Sequence, residues 1–274
     1  MIQDIKPKKF YNQYQPSEPK PEDLVLSYDG RKIFTKAHED NLLDYPTVSQ
    51  IGTEHLQYLF RIDDRQFFLY MGQELPSLEG YDFVNIMEFF NLNPHDLAFA
   101  GMSGYHLYHW YSTTKFCGCC GTHMRHHESL RAMVCPECGN MVFPRLNPAV
   151  IIAVIYQDKL LMTRYLGREY KGASLIAGFV EFGETAEETV AREVMEEAGI
   201  HVKNIHPYKT QPWGIDQDLL LGYVCEADDE TKIHLDTEEL VKAAWVARED
   251  IPDRNEEASM TWEMVEAFKR GLLE

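Results

Sequence analysis

The hydrophobic pattern changes character near residue 147. Pro148 precedes Ala149-Val150-Ile151-Ile152-Ala153-Val154-Ile155-Tyr156, eight apolar residues without a break. A β-branched run of this kind predicts a strand buried on both faces. Gln157-Asp158 reads as a two-residue turn into Lys159–Thr163, as in a hairpin. Further strands are expected at Ser174–Ala177, Leu219–Cys225 and Ala243–Val246. Two helices stand out. One runs from Ala186 to Ala198, where Ala186, Val190, Val194 and Ala198 form an apolar stripe. The other runs from about Glu256 to Arg270, with Trp262, Val265 and Phe268 at helical spacing. The pattern before residue 147 is weaker. Residues 1–22 contain Pro7, Pro16, Pro19 and Pro21 and are expected to be extended. From Asp23 to Leu92, short apolar stretches such as Arg65–Tyr70 alternate with turn residues and predict several short strands. Pro94 and Asp96 open a helix through Leu107 and Trp110, with Gly101 and Gly104 weighing against it. No internal repeat or low-complexity tract is present. The second half is expected to be a compact α/β domain.

Composition narrows the classes. The chain has 274 residues, 45% apolar and 12% aromatic, enough for a packed core and about two domains. No apolar run approaches the ~20 residues of a membrane span, and Met1–Pro7 shows no charged-then-apolar leader pattern. The formal charge of −18 argues against binding bare phosphate backbones. It leaves room for an anionic substrate reached through metal ions, which reverse the local field.

Four of the six cysteines fall in two C-x-x-C pairs, Cys117/Cys120 and Cys135/Cys138, fourteen residues apart. Each such turn can aim two thiolates at one centre, and four thiolates suit a tetrahedral structural Zn2+, one per chain. Ordinary buried thiols are the alternative. Cys119 is a spare thiol, and His123, His126 and His127 are candidates to replace a cysteine ligand. Cys225 lies in an apolar strand and reads as a core residue. Reduced, metal-binding cysteines point to a cytoplasmic protein. Only Arg125 and Arg131 lie between the knuckles, so the expected task of the ribbon is structural.

The segment Gly178 to Ile200 is the most informative. Thr185 and Glu188 form a capping-box pattern at a helix start, and Gly199 suits its C-terminus. Glu193, Glu196 and Glu197 lie at i, i+3 and i+4, on one helix face. Three such carboxylates either form a solvated acidic surface or gather a hard cation, Mg2+ or Mn2+. Arg192 stands alone among the acids. The whole segment resembles the Nudix hydrolase signature, Gly-x5-Glu-x7-Arg-Glu-aliphatic-x-Glu-Glu-x-Gly-aliphatic, at every fixed position. The resemblance implies an α/β/α sandwich that hydrolyses a diphosphate linked to another moiety. It further implies Glu193, Glu196 and Glu197 as ligands of Mg2+ or Mn2+, with Glu197 or a metal-bound water path as base. Arg192 would orient the glutamates and Glu184 support them from the loop.

Sequence around this box is similar to the NADH pyrophosphatase family. The four-cysteine ribbon directly precedes the box, and Trp110, Phe116-Cys117-Gly118, Ala132-Met133-Val134-Cys135 and Pro144-x3-Pro148 also match. So does Gln211-Pro212-Trp213, although the family's array continues Pro-Phe-Pro where this chain reads Gly214-Ile215-Asp216. That replacement is expected to be more flexible. The resemblance implies substrate contacts from Phe143, Phe179, Gln211, Pro212, Trp213, Glu239 and Ala258, with Glu239 also near the metals. It implies hydrolysis of NAD(H) to nicotinamide mononucleotide and AMP, extending to removal of NAD caps from RNA. Another nucleoside diphosphate derivative, such as ADP-ribose or FAD, or a non-catalytic nucleotide sensor are the alternatives. The family is commonly homodimeric. Residues 1–113 are then expected to form a mixed α+β amino-terminal domain, 114–146 the zinc ribbon and 147–274 the Nudix domain. Acidic residues concentrate in 178–200 and 226–257, which carry −14 of the −18. The first is the candidate metal helix.

Overall fold

The computed structural model describes residues 1–37, 42–167, 172–228, 232–235, 240–253 and 259–273. They group into two compact units. One comprises Ile2–Arg145 with Gly214–Gln217, and the other the described parts of Leu146–Trp213 and Asp218–Glu274, with Met1.

In the amino-terminal unit, strands Phe10–Tyr11, Leu56–Ile62, Arg65–Tyr70 and Leu24–Leu26 form one sheet in that order. A second sheet has Lys32–Ala37 at its centre, paired with Tyr28–Asp29, Leu43–Asp44 and Asp82–Asn85. The long helix His95–Thr113 follows Pro94 as its N-cap. Its two glycines are close-approach positions. A Cβ at Gly101 would meet the Tyr45 hydroxyl at 2.3 Å, and one at Gly104 the Leu26 side chain at 2.4 Å. The propensity cost of glycine is offset by packing that no larger residue permits. The ribbon follows as a small antiparallel sheet of Arg125–His126, Met133–Val134 and Met141–Val142. Half-buried Arg131 ties it to the first sheet by donating to the carbonyls of Leu59 and Asn12.

Gly214–Gln217 clusters with this unit as well. Gly214, Ile215 and Gln217 are buried. A Cβ on Gly214 would lie 2.2 Å from the Met102 carbonyl oxygen. Gln217 pairs its Oε1 with His109 Nδ1 at 3.0 Å and donates to the His106 carbonyl at 3.3 Å. The turn expected to be flexible is a packed one, because Gly214 fits against the Met102 backbone where a proline would not.

The carboxyl-terminal unit is a six-stranded sheet between two helices. Its strands are β1 (Asn147–Tyr156), β2 (Lys159–Tyr165), β3 (Ile176–Phe179), β4 (Val202–Trp213), β5 (Asp218–Ala227) and β6 (Leu240–Ala247). The order is β4-β5-β1-β2-β6, and β3 pairs with β1. Strands β1 and β5 are parallel, and the other pairs antiparallel. Helices α1 (Ala186–Ala198) and α2 (Met260–Lys269) cover opposite faces. Parity along β1 separates the two cores. Val150, Ile152 and Val154 pack with Val190 and Val194 of α1. Ile151, Ala153 and Ile155 pack with Trp262, Val265 and Phe268 of α2. That is why the apolar run has no polar alternation. Each fully buried aliphatic side chain here contributes about 1.5–3 kcal/mol.

Helix α2 starts at Met260 with Ser259 as its cap, and residues 254–258 lie outside the described ones. Strand β4 is not among the expected strands: it contains Pro207 and Pro212, and among the described residues it lies at the sheet edge and pairs with β5. Proline is tolerated there, and the register shifts near Lys203/His206 and Pro207/Thr210 absorb the lost donors.

Candidate active site and four-cysteine centre

The candidate active site is built where α1 meets the end of β3. Helix α1 begins at a full capping box. The Thr185 hydroxyl accepts from Glu188 N at 3.2 Å, and the Glu188 carboxylate accepts from Thr185 N at 2.7 Å. It ends at Gly199, whose φ of 69° and N–H bond to the Met195 carbonyl close the helix. Val190, Val194 and Ala198 are fully buried, which turns the face bearing Arg192, Glu193, Glu196 and Glu197 toward the loop of residues 180–185 and strand β3.

Arg192 organises this face. Its Nε and Nη2 hold both oxygens of Glu184, at 2.7 and 3.0 Å. Nη1 donates to Glu193 and Glu196, both at 2.8 Å. Nη2 also reaches the Phe179 carbonyl at 3.0 Å. Glu184 further accepts from Thr189 Oγ1 at 2.9 Å and Glu181 N at 3.2 Å. The guanidinium, first of all, holds the Glu184 carboxyl down to about 2, and the Thr189 and Glu181 bonds add to the effect. Arg192 is correspondingly raised, chiefly by Glu184.

Glu193 and Glu197 are buried, at 9% and 2% exposure, whereas Glu196 is exposed. The Glu193 carboxylate packs flat on Gly178, where a Cβ would sit 2.0 Å from it. Glu197 accepts from the Tyr165 hydroxyl, 3.0 Å from each of its oxygens. Tyr165 in turn accepts the Ala177 N–H at 2.8 Å. Three consecutive β3 residues therefore register three residues of α1: Ala177 holds Glu197 through Tyr165, Gly178 seats Glu193, and Phe179 binds Arg192. The donor set is all oxygen, with two buried carboxylates and a glycine cradle that keeps one of them close to the backbone. Oxygen donors are the kind a hard divalent cation takes, although among the described residues only the four cysteine sulfurs converge as a ligand set, and Arg192 holds Glu193 and Glu196 here.

The remaining candidates differ in their surroundings. Phe179 is 54% exposed and offers a free ring face beside the Arg192 cluster. Phe143 is exposed, in the amino-terminal unit. Gln211 is completely buried, and its Oε1 accepts from Met260 N at 2.8 Å, capping α2. Pro212 is exposed and Trp213 half-buried. Glu239 and Ala258 lie outside the described residues. Tyr165 escaped sequence reading, since no spacing rule links a strand residue to a helix residue thirty-two positions on.

The cysteine centre is assembled by two near-identical knuckles. Gly121 N bonds the Cys117 carbonyl at 2.9 Å, and Gly139 N the Cys135 carbonyl at 3.1 Å. Both glycines have positive φ, 75° and 72°, which a side chain would disfavour. The sulfur atoms of Cys117, Cys120, Cys135 and Cys138 all lie within 4.8 Å of one another. The pairs 117–138, 120–135 and 120–138 are 3.6, 3.4 and 3.6 Å apart. Thiolates about 2.3 Å from a tetrahedral zinc sit roughly 3.8 Å apart, so the cluster is compatible with structural zinc. Backbone N–H groups of Cys119 and Cys120 lower the Cys117 thiol, which favours the ligating form. The nearby histidines are engaged elsewhere: His126 packs on Tyr111, His123 on Phe116, and His127 accepts from Ser129 and Leu130 N–H.

Comparison with known proteins follows this geometry. Residues 145–268 match the NUDIX domain. The NAD-capped RNA hydrolase NudC of Salmonella typhi is 39% identical over 149 residues, 54% of this chain and 58% of that protein. NudC of Salmonella heidelberg gives the same identity and coverage. The chain thus spans under two thirds, 58%, of the length of these curated relatives. A NUDIX hydrolase structure from Nitrosomonas europaea is similar with a TM-score of 0.49 and 22% identity, over 57% of this chain and 91% of that one. The NUDIX-domain match spans the six-stranded sheet, α1, nearly all of α2 and the Arg192 cluster.

Proposed function

We propose that the protein is a hydrolase that cleaves the diphosphate bond of NAD(H), releasing nicotinamide mononucleotide and AMP, and that it also acts on NAD-capped RNA. The observation that carries this reading is the α1 cluster, in which Arg192 binds Glu184, Glu193 and Glu196 beside buried Glu197. The name of the NudC relatives, NAD-capped RNA hydrolase, supports the choice of substrate. Glu193, Glu196 and Glu197, with Glu239, would hold Mg2+ or Mn2+. When bound, such an ion neutralises diphosphate oxygens and acidifies water at the site. Arg192 keeps Glu193 and Glu196 aimed at one locus and Glu184 out of competition. Glu197 takes the proton of the attacking water on a carboxylate oxygen. Phe179 stacks on a substrate ring, and Phe143, Pro212 and Trp213 complete the contacts in a homodimer. The four cysteines bind one structural Zn2+, with no position left for substrate.

Incubation with Mg2+ or Mn2+ and NADH, NAD, NAD-capped RNA, ADP-ribose or FAD, followed by chromatography, tests the reading. Nicotinamide mononucleotide plus AMP from NADH is expected. Turnover of ADP-ribose or FAD alone would reject the substrate, and binding without turnover would reject the enzyme. Glu197→Gln is expected to lower turnover at least ~100-fold, as loss of a general base does, while the far-ultraviolet circular dichroism is retained. Wild-type turnover in that variant would remove Glu197 from the chemistry.

A further inference from the structure

Glu197 is a carboxylate at 2% exposure in the last turn of α1. Both features disfavour its charge: burial removes hydration, and the carbonyl end of a helix repels an anion. Something must hold it in place. The Tyr165 hydroxyl lies 3.0 Å from each Glu197 oxygen, so its single proton is shared between them rather than tipping the carboxylate to one side. The phenol is itself fixed. Tyr165 is buried at the end of β2, and it receives the Ala177 N–H at 2.8 Å. Its carbonyl neighbours, Ala177 and Leu175, lie farther off at 3.3 and 3.5 Å, so the proton is directed to Glu197.

We propose that Tyr165 is a positioning residue that sets the orientation of Glu197 and couples it to the β3 backbone. The assignment rests on the proposed role of Glu197 in metal binding and hydrolysis. Tyr165 touches neither substrate nor metal in this scheme, and its effect passes entirely through the Glu197 carboxylate. Replacing it leaves the substrate contacts intact, so kcat falls while KM does not.

Tyr165→Phe keeps the ring and removes the hydroxyl. Expected in this variant are a kcat on NADH lower by ~10–100-fold, the usual scale for a residue that orients a ligand, and a KM within about twofold of wild type. Mn2+ affinity, read by electron paramagnetic resonance without substrate, is expected to weaken by about tenfold. In the Glu197→Gln background the same change should cost nothing further, because residues acting through one another are not additive. A purely structural tyrosine would cost as much in either background, and that result overturns the proposal. Native kcat and Mn2+ affinity in Tyr165→Phe, with Glu197→Gln impaired, overturns it as well. If no variant or parent hydrolyses NADH, the substrate reading fails, and the Mn2+ measurement alone decides Tyr165. A measurement that leaves Tyr165 in place guards against misfolding. With ring-labelled tyrosine, the Tyr165 resonance is expected to move on Mg2+ addition in the parent and not in Glu197→Gln, and a resonance unmoved in the parent overturns the proposal.

Discussion

The five N–H donors of Arg192 meet acceptors on Glu184, Glu193, Glu196 and the Phe179 carbonyl. A lysine brings three donors on a flexible stem and no fork to grip both Glu184 oxygens at once. Arg192→Lys is therefore expected to behave as a severe change, lowering turnover ~10–100-fold with charge conserved. Steady-state kinetics on the NADH reaction checks this, and near-native turnover would show that charge alone suffices. Gly178 makes the complementary point. Its sequence signal was a glycine in a signature, and its physical reason is the Glu193 carboxylate lying where a Cβ would be. That reason is a contact between β3 and α1, which no local pattern discloses.

Local chemistry, by contrast, was readable at the level of elements. The Thr185/Glu188 pair and Gly199 bracket α1 in the sequence, and the helix runs Ala186–Ala198 between them. Thr185→Ala breaks the capping box and is expected to lower stability by about 1 kcal/mol, measured as a shift of the urea midpoint at unchanged slope. No shift would mean that tertiary packing alone fixes the helix start. The long strand β1 was equally plain, because burial on both faces leaves an unbroken apolar run. Strand β3 lies two residues beyond its expected span, β6 contains its expected span and extends past it at both ends, and β4 was missed. Gln211 shows why function is harder to read than fold: a residue matched to a substrate-binding array is fully buried and caps α2. Spacing identifies a residue, while its neighbours decide what it does.

For the whole molecule, the charge of −18 concentrates in two segments that the structure treats differently. Around α1 the acids converge on Arg192, and residues 229–231, 236–239 and 254–257 of the other segment lie outside the described ones. No helix among the described residues is long and apolar enough to cross a membrane. The six cysteines divide by environment in a way one titration can read. Cys119 is exposed and outside the cluster, four sulfurs share the proposed zinc, and burial pushes Cys225 up to about 12. With a thiol-reactive dye, the zinc-loaded protein is expected to show one fast thiol, and chelation at neutral pH to release four more. The sixth is expected only on unfolding. Five fast thiols before chelation would mean that the cluster holds no metal.

The registry between β3 and α1 has a consequence for how the site can fail. Ala177, Gly178 and Phe179 each serve a different partner, and successive strand residues point to opposite sides. A one-residue slip of β3 would give every partner the wrong neighbour at once, leaving no half-correct arrangement between the two. Loss of this pairing should therefore divide a population into competent and dead molecules, and slow the average by emptying the first class instead of weakening each member.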